Sequence, residues 1–273
     1  FAPNSFILQN NGGIFKDVTK EVAPALQELG MVTDAVWKDL NADGIVDLMV
    51  VGGWMPITFM VQNDGKFEDK TADMGFEKSR GWWNRIEPID IDQDGDLDFV
   101  LGNLGLNYKY KTSKKSPFQV YANDFDDNGA NDIVLGYVDK QTDKVVPVRG
   151  RQCSSQQIPE LADKFPTYTE FANASIFEVY GEELNEALHY KIDNFQSGIL
   201  MNNGSAGYKF QAFEPAAQSS PINDIIAKDF DGDGHLDLLM AGNLYVAEVE
   251  TGRADSGIGF FLKGDGKGNF KTY

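Results

Sequence analysis

The sequence predicts an all-β fold assembled from repeated units, with a small helical insertion. Three observations predict it: an aspartate-rich loop that occurs four times, a short apolar run after each loop, and a hairpin motif that also occurs four times. Repetition of this kind is typical of an array of similar supersecondary units. The chain has 273 residues, 42% of them hydrophobic, and can therefore bury a sizeable core.

The four loops follow one ten-residue pattern. They read DLNADGIVDL from Asp39, DIDQDGDLDF from Asp90, DFDDNGANDI from Asp124 and DFDGDGHLDL from Asp229. Each has Asp at position 1, Asp or Asn at positions 3 and 5, Gly at position 6, Asp at position 9 and an apolar residue at position 10. Six constrained positions that recur four times in one chain indicate a genuine repeat.

The segments that follow each loop predict buried strands and hairpins. The apolar runs cover 48–51, 99–101, 133–135 and 238–241, and a glycine follows each run. The hairpins cover 6–19, 57–71, 199–213 and 260–273, and their Asn-Gly or Asp-Gly turns supply the positive φ that a tight hairpin needs. Each hairpin has an aromatic residue on its second strand, which we expect to pack between neighbouring sheets: Phe15, Phe67, Phe210 and Phe270.

Loop, strand and hairpin together form a unit of about 50 residues, which is close to the period of β-propeller blades. The third loop follows the second after less than one such unit, and the fourth follows the third after about two units. Either the third loop therefore lies early in its unit or the second blade is short. Residues 156–191 explain the excess, because they have a helical pattern with two capping-box pairs, Thr167 with Glu170 and Ser175 with Glu178. We therefore expect a single partial β-propeller domain over 1–273 with a helical insertion at 156–191.

The formal net charge of −18 excludes two classes of partner. An acidic chain of this kind repels nucleic acid and anionic lipid headgroups. No apolar run reaches the length of a membrane span, so we expect no direct span either. The acidic residues are concentrated in the four loops, which indicates that the loops bind a cation.

The loop pattern predicts about four Ca²⁺ sites. Carboxylates at positions 1, 3 and 5 of a tight turn point to one centre and repel each other without a cation. Ca²⁺ accepts six to eight oxygens with loose geometry, whereas Mg²⁺ demands a near-ideal octahedron and fits less well. Residue 7 would contribute its backbone carbonyl, and Asp at position 9 a further carboxylate. The predicted ligands are Asp39, Asn41, Asp43, Ile45 and Asp47; Asp90, Asp92, Asp94, Asp96 and Asp98; Asp124, Asp126, Asn128, Ala130 and Asp132; and Asp229, Asp231, Asp233, His235 and Asp237.

Two rival classes of protein fit the sequence less well. An EF-hand needs a bidentate Glu at position 12, where this chain has Val50, Leu101, Leu135 and Met240. An enzyme needs a base that is not a metal ligand, and the sequence offers no candidate, so we predict no catalytic residues. A calcium-dependent enzyme that acts on polysaccharides is the alternative. Trp82 and Trp83 fit either a sugar-stacking platform or core packing.

The loops resemble the FG-GAP/VCBS repeat, the calcium loop of integrin α-subunit propellers and of many bacterial surface proteins. The resemblance implies β-propeller blades, with each metal held in the loop between two strands, and a seven-bladed ring of which this chain forms part. The hairpin at 6–19 has no Asp loop upstream, so we expect a fragment of a larger propeller. Asn41 and Asn128 replace Asp, so the loops at Asp39 and Asp124 should bind Ca²⁺ more weakly than those at Asp90 and Asp229.

Four further stretches resemble one subgroup of large bacterial VCBS surface lipoproteins. They are 81–85 (GWWNR), 102–107 (GNLGLN), the helical stretch from about 165–166, and 250–255 (ETGRAD). The resemblance implies an extracytoplasmic location, at the cell surface or secreted, associated with the outer membrane through the parent protein. It also implies a binding, adhesion or scaffold role, with a protein or glycan partner at the cell surface or the remainder of the parent chain.

Overall fold

The predicted repeats fold into antiparallel sheets, and the prediction of an all-β class is confirmed. The computed structural model describes residues 3–247 and 251–273, so Glu250 of the ETGRAD stretch lies outside the described residues. The strands, in chain order, are β1 (Leu8–Asn11), β2 (Ile14–Asp17), β3 (Met31–Lys38), β4 (Asp47–Gly53), β5 (Thr58–Asn63), β6 (Lys66–Asp69), β7 (Arg85–Ile89), β8 (Asp98–Gly102), β9 (Phe118–Asn123), β10 (Asp132–Val138), β11 (Val145–Pro147), β12 (Leu188–Ile192), β13 (Gly198–Asn202), β14 (Tyr208–Ala212), β15 (Asp224–Lys228), β16 (Asp237–Ala241), β17 (Phe260–Gly264) and β18 (Phe270–Thr272).

The helices are short. They are α1 (Thr19–Val22), α2 (Arg151–Gln157), α3 (Leu161–Lys164), α4 (Tyr168–Asn173) and α5 (Ile176–Tyr180), with 3₁₀ turns at Pro24–Leu26, Gly181–Asn185, Gly204–Ala206 and Pro215–Gln218. No helix in the described part of the chain is long and apolar enough to cross a membrane.

The chain forms two compact units, one of residues 1–109 with 195–273 and one of residues 110–194. The sequence predicts one domain over 1–273. In the first unit, sheet 1 has the order β3-β4-β5-β6, sheet 2 the order β14-β13-β8-β7 and sheet 3 the order β15-β16-β17-β18. Among the described strands, β1 pairs only with β2. The second unit has one sheet of order β11-β10-β9-β12, which we call sheet 4.

Sheet 2 is formed by two stretches of chain that are far apart in sequence. β7 and β8 precede the second unit, whereas β13 and β14 follow it, and Ile199 on β13 pairs with Val100 on β8. The whole second unit, with its own Asp loop, is therefore inserted between the second and third strands of one sheet. This insertion explains why the third loop comes early and the fourth comes late.

The ends of the second unit lie side by side, which makes such an insertion possible. β12 runs antiparallel to β9, with Ile192 opposite Phe118, so the chain enters and leaves the unit on neighbouring strands. A buried cluster around Ile176 and Val179 joins the helices to Tyr121 and Val134 of the sheet.

The helical stretch differs in its bounds from the prediction of 156–191. It begins at Arg151, and residues 188–191 belong to β12. Leu188 continues the apolar spacing of Leu184, but its backbone pairs with Ala122 of β9 and its side chain is exposed. Both predicted capping boxes are present, at Thr167 with Glu170 and at Ser175 with Glu178.

Two layers of core join the three sheets of the first unit. Met49 and Phe59 of sheet 1 pack against Phe99 and Leu101 of sheet 2. Val100 on the opposite face of sheet 2 packs in a second cluster with residues of sheet 3 such as Leu238 and Met240. Sheet 2 is therefore buried on both faces, and Trp83 lies in the first of these cores with 1% of its surface exposed.

The outward face of sheet 3 remains exposed. Leu239 is 41% exposed and Ile226 53% exposed, although the residue that matches Leu239 in sheet 1, Met49, is fully buried. Phe67, Phe210 and Phe270 pack partly buried against core clusters, as predicted. The prediction is wrong for Phe15, which is 63% exposed because its strand belongs to an isolated two-stranded hairpin among the described residues.

The first hairpin repeats the second half of sheet 1 in detail. The Thr19 hydroxyl accepts a hydrogen bond from the Ile7 backbone N–H at 2.7 Å, and the Thr71 hydroxyl accepts one from Phe59 at 3.0 Å. In sheet 1 the equivalent of β1 is β5, which also pairs with β4. The hairpin β1–β2 is thus the counterpart of β5–β6 without the strand pair that carries an Asp loop.

Candidate metal centres

Each Asp loop connects the first two strands of its sheet in chain order, namely β3 and β4, β7 and β8, β9 and β10, or β15 and β16. All four loops adopt the same backbone turn, with two residues in the left-handed region. At position 4, φ is 60° for Ala42, 62° for Gln93, 54° for Asp127 and 78° for Gly232. At position 6, φ is 82° for Gly44, 97° for Gly95, 86° for Gly129 and 89° for Gly234. The φ values at position 6 lie above those that other residues adopt in the left-handed region, whereas glycine adopts them freely, which explains why position 6 is glycine in all four loops.

The turn directs the side chains at positions 1 and 5 into the loop. The carboxylate at position 1 accepts the N–H of the position 6 glycine, at 2.8 Å for Asp39, 3.1 Å for Asp90, 2.8 Å for Asp124 and 3.0 Å for Asp229. The side chain at position 5 accepts the N–H of residue 7, at 2.7 Å for Asp43, 3.0 Å for Asp94, 2.8 Å for Asn128 and 2.9 Å for Asp233. The same oxygens are therefore preoriented in every loop.

The aspartate at position 9 has a second role that the sequence did not reveal. Its side chain is buried in all four loops, and one oxygen accepts the N–H of residue 2, as in Asp47 with Leu40 at 2.9 Å. The other oxygen accepts a backbone N–H from the third strand of the same sheet, at 2.7 Å from Gln62 to Asp47, 2.7 Å from Asn202 to Asp98 and 3.0 Å from Gly264 to Asp237. In sheet 4 the Gln157 side chain donates to Asp132 at 2.9 Å instead. We call this pair of hydrogen bonds to the aspartate the position 9 bracket. The recurrence of Asp at position 9 was a sign of it, but in three loops the partners are backbone groups, which leave no pattern in the sequence.

Three loops bring three carboxylates together, with one ligand oxygen from each residue lying within 4.8 Å of the others. The groups are Asp90 with Asp92 and Asp94, Asp124 with Asp126 and Asp132, and Asp229 with Asp231 and Asp237. The loop at Asp39 has no such group among the described residues. Its position 3 is Asn41, whose side-chain amide donates to Asp43 at 3.0 Å. The predicted role of the carbonyl oxygens of Ile45, Asp96, Ala130 and His235 stays a prediction.

Comparison with protein families matches residues 39–101 to a family model described as an FG-GAP-like repeat. The chain carries an FG-GAP-like repeat. The match begins at the first Asp loop and ends within β8, so it includes the first two loops and the hairpin between them. The loops at Asp124 and Asp229 share the backbone turn of this segment. Asp237 also accepts the same two backbone hydrogen bonds, whereas at Asp132 the Gln157 side chain replaces one of them. The comparison with curated proteins finds no match to the chain.

Two aspartates of the second loop have raised pKa values. Burial raises the pKa of Asp98 to about 6, against the effect of the two backbone N–H groups that donate to it. Burial also raises the pKa of Asp96, and the nearby carboxylates of Asp94, Asp92 and Asp90 raise it further. Desolvated acids with raised pKa values gain from a nearby cation, which favours their charged form.

Buried oxygens in the second and third loops lack hydrogen-bond partners, and this supports the fit of a metal. They are Asp90 Oδ1 and Asp96 Oδ1 in the second loop and Asp126 Oδ1 in the third. A buried polar atom without a partner costs free energy, and such atoms in native proteins call for an explanation such as an ion. The oxygens are hard donors clustered in a loose loop, which is the donor set that Ca²⁺ prefers.

A lysine side chain contacts the fourth loop. The ammonium group of Lys263, on β17, forms ion pairs with Asp231 and with Asp233, the latter at 3.0 Å. The hydrogen bond from Lys263 to Asp231 and, to a smaller extent, the one to Asp233 raise the pKa of Lys263.

The arginines at the start of helix α2 and the tryptophan at position 83 have partners within the structure. Arg151 donates to the carbonyl oxygens of Phe165 and Ala162, and Arg149 donates to the Gln157 side chain. The Trp83 indole N–H donates to the Ser79 carbonyl at 3.0 Å within the core. Core packing therefore accounts for Trp83.

Proposed function

We propose that this chain is a calcium-stabilised FG-GAP-type β-propeller module of an exported surface protein and that it acts as a binding, adhesion or scaffold domain. One observation carries the proposal: the same inward-facing loop geometry occurs at the equivalent strand connection of four sheets. A cation in each loop would bind the side-chain oxygens at positions 1, 3 and 5, which are carboxylates except at Asn41 and Asn128, next to the hydrogen-bonded aspartate at position 9. The bound metal would supply positive charge that holds the loop against its own sheet.

Ca²⁺ is the ion that the loops fit best. The second and third loops combine three convergent carboxylates with buried oxygens that have no hydrogen-bond partner. Such a loop can offer a large ion many oxygens without ideal angles. Extracellular calcium modules have dissociation constants of about 10⁻⁴–10⁻³ M, so even weak loops would fill outside the cell. This supports the proposal of an extracytoplasmic location, at the surface or secreted, in a lipoprotein parent associated with the outer membrane.

The proposed role in a larger array rests on two surfaces of the first unit. The outward face of sheet 3 exposes Ile226 and Leu239, whereas the matching face of sheet 1 is covered by sheet 2. The hairpin β1–β2 has the same hydrogen bond to a threonine hydroxyl as β5–β6 in sheet 1, but it pairs with no further strand among the described residues. Both features suit a module that packs against further sheets of a seven-bladed propeller in the parent chain. Protein or glycan partners at the cell surface are proposed for the remaining faces.

Calorimetric titration of metal-stripped protein tests the calcium proposal. We expect about four equivalents of Ca²⁺, with tighter binding than Mg²⁺, because the smaller ion dehydrates reluctantly and needs stricter geometry. Asp92→Asn and Asp126→Asn, each in a different loop, should each remove or weaken one equivalent. Stoichiometry that is unchanged in both variants would rule out the loops as the sites.

A panel of cell-surface polysaccharides, assayed for binding and for cleavage, tests the role of the module. We propose that the chain is not an enzyme, so binding without cleavage is the expected result. Calcium-dependent cleavage that survives repeated purification would favour the enzymatic alternative.

A further inference from the structure

A lysine occupies a strand position next to the fourth loop where the other two sheets of the first unit have neutral side chains. In sheet 3, Leu262 pairs with Leu238 at loop position 10, and the N–H of Gly264 reaches Asp237. The residue between them is Lys263. The same registers in sheets 1 and 2, set by Met60 opposite Leu48 and Leu200 opposite Phe99, place Val61 and Met201 at the corresponding position.

The Lys263 ammonium group contacts the carboxylates that a metal would use. It pairs with Asp231 at loop position 3 and with Asp233 at position 5, the latter at 3.0 Å. Asp231 also belongs to the group of three convergent carboxylates with Asp229 and Asp237. Lys263 thus places a positively charged side chain beside the carboxylates of the fourth loop.

We propose that Lys263 is an internal counter-ion that competes with Ca²⁺ for the fourth loop. It lowers the calcium affinity of this loop below that of the second loop and holds the loop in shape when no metal is bound. The inference rests on the proposed calcium function. It departs from the ranking by carboxylate count, which places the loops at Asp90 and Asp229 together.

The physical reason is competition between two cations for the same oxygens. Ca²⁺ can coordinate Asp231 fully only if the ammonium group leaves it, and the displaced positive charge then remains close to the ion. Without Ca²⁺, the lysine offsets the mutual repulsion of the loop carboxylates. The second loop instead contains Asp90 Oδ1 and Asp96 Oδ1, which are buried and have no hydrogen-bond partner. The second loop should therefore depend on the metal more strongly than the fourth.

The test follows each loop separately by NMR during a Ca²⁺ titration of metal-stripped, full-length protein. The amide of Gly234 reports the fourth loop and that of Gly95 the second, because each donates to the position 1 carboxylate of its own loop. Three variants are compared with the wild type: Lys263→Met, which installs the residue type of position 201; Lys263→Arg, which keeps the charge; and Met201→Lys, which adds a lysine beside the second loop.

In the wild type, the Gly95 signal should reach its midpoint at lower Ca²⁺ than the Gly234 signal. Lys263→Met should shift the Gly234 midpoint to about three- to tenfold lower Ca²⁺, the range expected for the loss of exposed ion pairs. Its Gly95 midpoint should not move, and its melting temperature in EGTA should fall. Lys263→Arg should resemble the wild type, and Met201→Lys should raise the Gly95 midpoint.

A Gly234 midpoint that is unchanged or higher in Lys263→Met, while Gly234 still responds to Ca²⁺, overturns the counter-ion proposal and leaves the calcium function intact. A Gly234 amide that responds to Ca²⁺ in none of the variants overturns both for this loop. If Lys263→Met folds poorly, Lys263→Gln, which is neutral but polar at this partly exposed position, keeps the test decisive.

Discussion

The carboxylate of Asp98 accepts a hydrogen bond of 2.7 Å from the backbone N–H of Asn202, 104 positions later in the chain. The two residues are near neighbours because β13 returns to β8 after the second unit is complete. The bond ties the second Asp loop to the hairpin of its own sheet. Asp47 with Gln62 and Asp237 with Gly264 form the same link within continuous stretches of chain.

This link predicts that Asp98 matters to stability even without metal. In EGTA, Asp98→Ala should lower the free energy of unfolding by about 2–4 kcal/mol, because two backbone N–H groups lose their acceptor. Asp94→Ala is the matched control, since Asp94 lies exposed in the same loop, and it should change stability little under these conditions. Urea denaturation in EGTA measures both. Equal effects would mean that the position 9 aspartate is only a metal ligand.

The exposed outer face of sheet 3 predicts unequal costs for equivalent core positions. Met49→Ala should cost about 2–5 kcal/mol, because Met49 is fully buried between sheets 1 and 2. Leu239→Ala, at the matching place in sheet 3, should stay within about 0.5 kcal/mol of the wild type. Thermal or urea denaturation of the two variants tests whether sheet 2 covers this face of sheet 1 while the matching face of sheet 3 is uncovered. A large cost at Leu239 would show that another surface covers it in solution.

The second unit should fold when it is produced by itself as residues 110–194. It contains its own sheet and its own buried cluster, and its first and last strands pair with each other at Phe118 and Ile192. We expect a cooperative thermal transition by circular dichroism and dispersed amide signals. A spectrum of an unfolded chain, in Ca²⁺ as well as in EGTA, would contradict this prediction.

Helix α5 should lose a stabilising contact in acid. Hydrogen bonds from the backbone and side chain of Ser175, with an ion pair to Lys144, lower the pKa of Glu178 to about 2. A carboxyl group whose pKa is lower in the folded state stabilises above its unfolded pKa, and this contribution is lost as the pH falls through the folded value. The difference in melting temperature between wild type and Glu178→Gln should therefore shrink between about pH 4.5 and 2. A constant difference over this range would show that the charge of Glu178 does not contribute.

The local elements of this fold were predictable because short-range patterns determine them. Loop glycines such as Gly95 occupy left-handed positions, and the turn at Asp64 and Gly65 closes a hairpin, as their residue types predict. The capping box at Ser175 likewise needs only its own four residues.

The long-range arrangement was not predictable from one sequence. Nothing in the residues near Phe99 indicates that its partner is Leu200 rather than a strand just downstream. Leu188 has helical spacing, yet pairing with β9 makes it part of a strand. The bracket at Asp98 and the lysine at the fourth loop depend on register between distant strands, which local patterns do not encode.

The most direct test of the central claim is thermal unfolding of the full chain in EGTA and in increasing Ca²⁺. An ion that binds only the folded state stabilises it by about 2.7 kcal/mol per site at a hundredfold excess over its dissociation constant. We therefore expect the melting temperature to rise steadily with Ca²⁺ and much less with Mg²⁺. A melting temperature that is the same in EGTA and in millimolar Ca²⁺ would contradict the assignment of these loops as calcium sites.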